Sequence, residues 1–386
     1  MIYFDNASTT KYKPDEVYEA ENYYLREIGV SPGRGSYALG IEAMRMLYKS
    51  RLAIGNYFCM SEADRVIFTK NSTEAINLFF NGYLKKGDHA IISCYEHNAV
   101  LRPIQRLADL KIITYSIIKR DDLRLSASEL FRKYTRKNTR LLALTLASNL
   151  TGRIIFKEDW FKYFREKGVC TFLDSSQGAG RLPLSMKSQS IDFLAFTSHK
   201  DLLGIPGAGG LCCESKEHFE PLIQGGTGVH GESYTNPDIF PEGYEAGTLN
   251  MSAIWALRAG IEFLNKNRES IQTKENSLMR ILMNALHETE NVTIYDFEEE
   301  RIPVCCFTIN DQSSDKTVRA LDENGICVRG GVHCAVLAHE SIGTIKTGAV
   351  RISLSFKNSQ EEIERFVKLI KEIASFANRK NETKTE

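Results

Sequence analysis

The sequence predicts an α/β protein, with a large domain on a mostly parallel sheet followed by a smaller α+β domain. Three observations carry this. Short apolar runs alternate with helical segments over roughly 200 residues, the pattern of a parallel sheet. Polar residues gather directly after each run, where the carboxyl ends of strands in open α/β sheets face ligands. Beyond about residue 289 the order becomes strand, helix, strand, helix. The expected division is 15–262 for the large domain and 263–377 for the small one, joined by the N-terminal segment 1–14. The polar tail 378–386 is expected to be without structure.

The bulk numbers agree with a soluble globular chain of 386 residues, 42% hydrophobic and 25% charged. Lys plus Arg and Asp plus Glu both total 49, so there is no basic field to attract nucleic acid. No apolar run approaches the ~18–20 residues of a membrane helix. The start, Met1-Ile2-Tyr3-Phe4-Asp5-Asn6, lacks the basic and apolar regions of a signal peptide. Nine cysteines include no C-x-x-C pair, so neither a metal site nor a disulfide framework is expected. Free thiols in a reducing cytoplasm fit that usage.

Taken in order, Ile2–Thr10 reads as a short strand entering a polar turn. Strand-like Arg65–Thr69 precedes Asn71-Ser72-Thr73-Glu74, where Ser72 or Thr73 can cap a helix whose N-terminus also suits an anion. Ala90–Cys94 is a second strand, followed by Glu96-His97-Asn98. Ile112–Ile118 and Leu141–Ala147 are further strands, the latter running into Ser148-Asn149. A helical segment, Lys157–Lys167, leads to Val169–Leu173 and then Asp174, Ser175, Ser176 and Gln177. The apolar run from Phe193 ends in Thr197-Ser198-His199-Lys200, ahead of a loop bearing Gly204, Gly207, Gly209 and Gly210. Tyr244–Asn250 is a turn, and long amphipathic helices occupy roughly 251–289. The small domain then contains Val304–Ile309, Ser314–Asn324, Ile326–Val328, Ala349–Ser355 and Gln360–Phe376.

Thr73, His97, Asn149, Asp174, Gln177, Thr197, His199 and Lys200 all follow strands. Lys200 has two readings: a solvated surface lysine, or a desolvated amine suited to Schiff-base chemistry. Asp174 and Lys200 together are the two protein groups that a pyridoxal phosphate site requires. The lysine binds the carbonyl, and the carboxylate keeps the pyridine nitrogen protonated. Thr73, Thr197 and His199 could cradle the phosphate. His97 could supply an aromatic plate, and Gln177 a hydrogen bond to the ring oxygen.

Thr197-Ser198-His199-Lys200, with Asp174-Ser175-Ser176-Gln177 and Glu96-His97-Asn98, resembles the class V aminotransferases among fold type I pyridoxal phosphate enzymes. Further matches narrow the resemblance to cysteine desulfurases and selenocysteine lyases. They are Tyr3-Phe4-Asp5-Asn6-Ala7, Ser72-Thr73-Glu74-Ala75-Ile76-Asn77, Ser148-Asn149, Glu245-Ala246-Gly247-Thr248, Arg329-Gly330-Gly331-Val332-His333-Cys334-Ala335 and Val350-Arg351-Ile352-Ser353. The resemblance implies Lys200 as the Schiff-base lysine, Asp174 on the ring nitrogen, His97 stacked on the ring, and Gln177 and Asn149 near the ring oxygen. It places Ser72, Thr73, Thr197 and His199 at the phosphate, and Thr248 at the phosphate of a second subunit in a homodimer. Arg351 would clamp the substrate carboxylate, with Arg329 and Asn149 also on the substrate side.

Cys334 reads either as a small buried hydrophobe or as a thiolate in a glycine-rich loop beside His333 and two arginines. The resemblance implies the second. The sulfur of L-cysteine would pass to Cys334 as a persulfide, leaving L-alanine, and then to an acceptor protein, as in iron–sulfur cluster assembly. The short interval from Cys334 to Arg351 matches the SUF-type group. Val336 and Tyr37 depart from the proline and histidine common in relatives. Selenocysteine lyase, class V transaminase or epimerase, and a non-catalytic scaffold are the alternatives.

Overall fold

The computed structural model describes residues 1–33, 35–310 and 312–382, with side chains described through Ser375. In chain order the elements begin β1 (Ile2–Tyr3), α1 (Asp15–Tyr23), α2 (Ala38–Tyr57), β2 (Val66–Thr69), α3 (Ser72–Tyr83), β3 (His89–Ser93) and α4 (Asn98–Asp109). Next come β4 (Thr114–Ile118), α5 (Ala127–Tyr134), β5 (Thr139–Thr145), α6 (Glu158–Glu166), β6 (Cys170–Asp174), β7 (Phe193–Thr197) and β8 (Gly209–Cys213). The chain continues through α7 (Met251–His287), β9 (Val292–Ile294), β10 (Val304–Ile309), α8 (Ser314–Glu323), β11 (Ile326–Cys327), α9 (Val336–Ile342), β12 (Val350–Ser353) and α10 (Gln360–Glu382).

Two compact units emerge: Lys13–Leu146 with Phe156–Lys266, and Met1–Tyr12 with Ala147–Ile155 and Asn267–Glu386. The sequence reading sets its boundaries at 14/15 and 262/263, and does not separate the segment 147–155 from the large domain. The helix α10 runs through Glu382, across the start of the tail expected to lack structure, and 383–386 lie outside the described residues. Among the described residues no helix is long and apolar enough to cross a membrane.

The first unit holds a seven-stranded sheet in the order β2-β8-β7-β6-β5-β3-β4. Its pairs are parallel except that β8 runs antiparallel to both neighbours, β2 and β7. The α/β class with a mostly parallel sheet is thus the class observed. Strands β6, β7 and β8 are buried along their whole length, which explains why their sequences are largely apolar rather than alternating. Phe79 of α3 seals the sheet, with ring centroids 5.1 Å from Phe172 and 4.2 Å from Phe193. Each such ring contributes about 1.5–3 kcal/mol by burial.

Three local expectations change. The cap of α3 is Asn71, whose Oδ1 accepts the Glu74 N–H at 3.0 Å, rather than Ser72 or Thr73. The expected helices over 251–289 are one helix of 37 residues. The last two loop glycines, Gly209 and Gly210, begin β8.

The second unit contains an antiparallel sheet, β12-β10-β9, and a parallel pair, β1-β11. Phe4, Leu282, Phe307, Ile352 and Phe366 form part of its core. The segment 147–155 is fastened within this unit by pairing. Ile302 N–H donates to the Gly152 carbonyl at 2.9 Å and Ile154 N–H to the Glu300 carbonyl at 2.9 Å. Gly152 has φ 78°, and a β-carbon there would collide with the Val304 carbonyl, so the close approach needs glycine.

Candidate functional site

The residues singled out above fall into two groups, one in each unit. In the first unit, Asp174 closes β6 with its carboxylate buried. Its Oδ1 accepts the Ser176 N–H at 3.0 Å and the Ser176 hydroxyl. Burial pushes its pKa up, while the Ser176 hydrogen bonds and the Lys200 cation oppose the shift. Lys200 lies half-buried in the turn after β7. The next residue pins that turn, because Asp201 accepts from the Gly178 N–H and the Arg181 guanidinium. Lys13 pins it from another side, donating from Nζ to the His199 carbonyl at 2.6 Å. Burial lowers the pKa of Lys13 to about 8.

Thr197 is 4% exposed, and its Oγ1 is buried without a hydrogen-bond partner among the described residues. A buried hydroxyl left so costs about 1–3 kcal/mol, which fits a group reserved for a ligand. Beside it, burial lowers His199 to about 4, with the Lys200 and Lys13 cations adding, so its imidazole is neutral at physiological pH. Gln177 is buried and Ser72 opens α3. Thr73 is exposed in the same first turn. Thr248 lines a cleft with Asn71, Glu74 and His199 of its own chain. Its segment is held by Glu245, which pairs with Arg51 through both oxygens and accepts the Phe68 N–H at 2.6 Å.

His97 is the N-cap of α4, and its Nδ1 accepts the Ala99 N–H at 3.0 Å. In the neutral ring the proton therefore sits on Nε2. The preceding residue, Glu96, is fully buried. Its Oε1 accepts the Ser93 hydroxyl at 2.5 Å and the Thr145 N–H at 3.0 Å, and Oε2 has no partner among the described residues. Burial raises its pKa to about 8, with a further push from Asp174, so it is protonated at neutral pH.

The second unit brings Arg351, Arg329, Asn149 and the Cys334 loop together. Arg351 is 1% exposed. Its Nη1 donates to the Asn149 carbonyl at 2.9 Å, and its Nη2 to Asp5 Oδ1 at 2.6 Å and Ser8 Oγ at 2.8 Å. Arg329 Nη1 also donates to Ser8 Oγ, at 3.0 Å. Arg351 Nε and Asn149 Oδ1 are buried without partners among the described residues, so both a donor and an acceptor remain for a ligand. Asn149 Nδ2 donates to the His333 carbonyl at 2.8 Å, tying this group to the thiol loop.

Cys334 is exposed, as is Cys59. Cys327 is half-buried on β11 and the remaining cysteines are buried. Burial pushes the thiols of Cys170, Cys212, Cys213, Cys305 and Cys306 upward. His333 and Cys334 have φ of 54° and 55°, so two consecutive residues with side chains occupy the left-handed region. Each costs about 1–2 kcal/mol there, and only surrounding structure can hold them. Burial lowers His333 to about 3, assisted by the Arg351 cation. The expected stabilisation of a thiolate by this neighbour therefore does not come from an imidazolium.

Sequence reasoning did not assign roles to Asp5, Ser8, Lys13, Glu96, His339 or Thr344. Asp5 and Glu96 stand inside quoted motifs, which were their only signal. The others are ordinary residues until the fold gives them partners. Chemically, one unit offers a carboxylate, a lysine amine and unpaired hydroxyl chemistry suited to an aromatic phosphate cofactor. The other offers an exposed thiol and a buried guanidinium suited to an amino acid.

The family described as Aminotransferase class-V matches residues 2–366. A protein of Pyrococcus abyssi named probable cysteine desulfurase is 33% identical over 389 residues, covering 97% of this chain and 94% of that protein. One of Methanothermobacter thermautotrophicus with the same name is 30% identical over 382 residues, covering 97% and 94%. The structure of a cysteine desulfurase from Thermococcus onnurineus superposes with a TM-score of 0.87 at 30% identity, covering 97% of this chain and 94% of that one.

Proposed function

The chain belongs to the class V aminotransferase family, among its cysteine desulfurases, and from that premise we propose that it removes sulfur from L-cysteine with pyridoxal phosphate. Lys200 would hold the cofactor carbonyl and Asp174 the ring nitrogen, with Gln177 and Asn149 toward the ring oxygen and His97 against the ring face. Ser72, Thr73, Thr197 and His199 would hold the phosphate. The unpartnered Thr197 hydroxyl and the buried Asp174 carboxylate support this fit. When bound, the cofactor supplies an electron sink for carbon–sulfur cleavage.

The observation that carries the reading is Cys334, an exposed thiol on strained backbone in the unit that also holds Arg351. The thiolate of Cys334 attacks the substrate sulfur. A sulfur–sulfur bond forms, the carbon–sulfur bond breaks, and its electron pair stays with the β-carbon, which takes up a proton. The thiol and L-cysteine thus become a persulfide and L-alanine. Arg351, with Arg329 beside it, orients the substrate carboxylate. The exposure of the thiol supports transfer of the sulfur to an acceptor protein.

A second copy of the chain is the proposed assembly partner, with Thr248 reaching its phosphate site. Tyr37, Ile41, Met44 and Tyr48 stand exposed at helical spacing along and just before α2, while Ala43, Met46, Ser50 and Ile54 are buried on its other face. A helix apolar on two sides supports burial of the exposed side against another subunit.

Mass spectrometry of Cys334 after incubation of the holoenzyme with L-cysteine should show a gain of one sulfur atom. Cys334→Ala should lose sulfide release. Full retention of activity on L-cysteine by that variant would overturn the persulfide reading. Retained selenide release alone would point to selenocysteine lyase chemistry.

A further inference from the structure

The helix α9 ends in a turn that has a chemical consequence. Gly343 adopts φ 77°, its N–H donates to the Glu340 carbonyl at 3.4 Å, and the Thr344 N–H donates to the His339 carbonyl at 2.9 Å. This is the Schellman arrangement, in which the residue after the glycine folds back over the last helical turn and its side chain meets one there. Here the two side chains are a hydroxyl and an imidazole. Thr344 Oγ1 lies 2.7 Å from His339 Nδ1.

The contact continues inward. His339 Nε2 is 3.3 Å from His333 Nδ1, the rings lie parallel at 3° with centroids 5.6 Å apart, and His333 Nε2 is 3.1 Å from the Arg329 carbonyl. Only one proton arrangement satisfies all these atoms when both imidazoles are neutral. The carbonyl can only accept, so His333 carries its proton on Nε2 and its Nδ1 accepts. His339 must then donate from Nε2, which leaves its own Nδ1 to accept the Thr344 hydroxyl proton. Burial keeps both rings neutral, lowering His333 to about 3 and His339 to about 4.

We propose that His339 and Thr344 are positioning residues for Cys334: the hydroxyl–imidazole–imidazole relay locks the His333 ring and so holds the adjoining left-handed backbone that presents the thiol. The relay ends on the Arg329 carbonyl, which also accepts the Arg351 backbone N–H at 2.8 Å. The thiol loop and the backbone that carries the Arg351 guanidinium are therefore referenced to one atom. The consequence for turnover rests on the desulfurase reading, whereas the consequence for the loop does not.

The test compares Thr344→Val, which keeps the shape and removes the hydroxyl, with Thr344→Ser, which restores it. In Thr344→Val, amide hydrogen exchange across 332–335 should quicken roughly tenfold, with no change in peptides from the other unit. In the holoenzyme, kcat for sulfide release should fall roughly tenfold while KM for L-cysteine stays within about twofold. Thr344→Ser should return both to wild-type values. Unchanged exchange and kcat in Thr344→Val would overturn the proposal, as would a serine variant as impaired as the valine one. Faster loop exchange in a protein whose wild type releases no sulfide would uphold the relay while removing the desulfurase reading.

Discussion

At the scale of single residues, the environment rather than the residue type decides protonation. Glu96 lies next to His97 in sequence, yet it is a neutral acid in the core because burial raises its pKa to about 8. A carboxyl with a raised folded pKa contributes its stability below the unfolded value of about 4.3 and loses it as pH climbs toward the folded value. Glu96→Gln mimics the protonated form at every pH. It should therefore gain about 3 kcal/mol on the wild type between pH 6 and pH 9 in denaturant titrations. A pH-independent difference would mean that Glu96 is ionised in the folded state. The imidazoles reverse the sign: His333 and His339, lowered to about 3 and about 4, are stabilising when neutral and weaken the fold as pH falls below about 6.5.

At the scale of elements, the ends matter more than the middles. Strand positions were legible because apolar runs and helical spacing are local patterns, and β10 occupies the expected residues 304–309. Ends were less legible. Three residues able to cap stand in a row at Asn71, Ser72 and Thr73. Asn71 takes the role because its backbone is extended, with φ −171°, while Ser72 is already helical. The turn after α9 makes a sharper point. A β-carbon added to Gly343 would meet nothing within 4 Å, so Gly343→Ala should pay only the left-handed backbone penalty, about 1–2 kcal/mol. Thermal melts of the two proteins measure it. A melting temperature unchanged by the substitution would show that the turn does not constrain α9.

At the scale of the whole molecule, the chain divides its chemistry between two units, with the cofactor-type residues in one and the thiol, Asn149 and both arginines in the other. The exposed face of α2 bears on assembly. Ile41→Glu with Met44→Glu places charge on that face without touching the buried one; if the proposed dimer forms through it, light scattering should report a dimer for the wild type and a monomer for the variant. A dimer that persisted would move the interface elsewhere.

The sequence by itself determined the α/β class, the polar strand ends and Cys334 as the thiol to examine, since periodicity and ordered motifs are properties of neighbouring residues. Tertiary structure alone decided that Asp5 and Ser8 hold the arginines, that Glu96 is protonated and that His339 reaches His333. Those outcomes depend on burial and on hydrogen bonds such as Arg351 to Asp5, between residues far apart in the chain. No local pattern encodes them, because desolvation and hydrogen-bond geometry exist only once the distant segments have met.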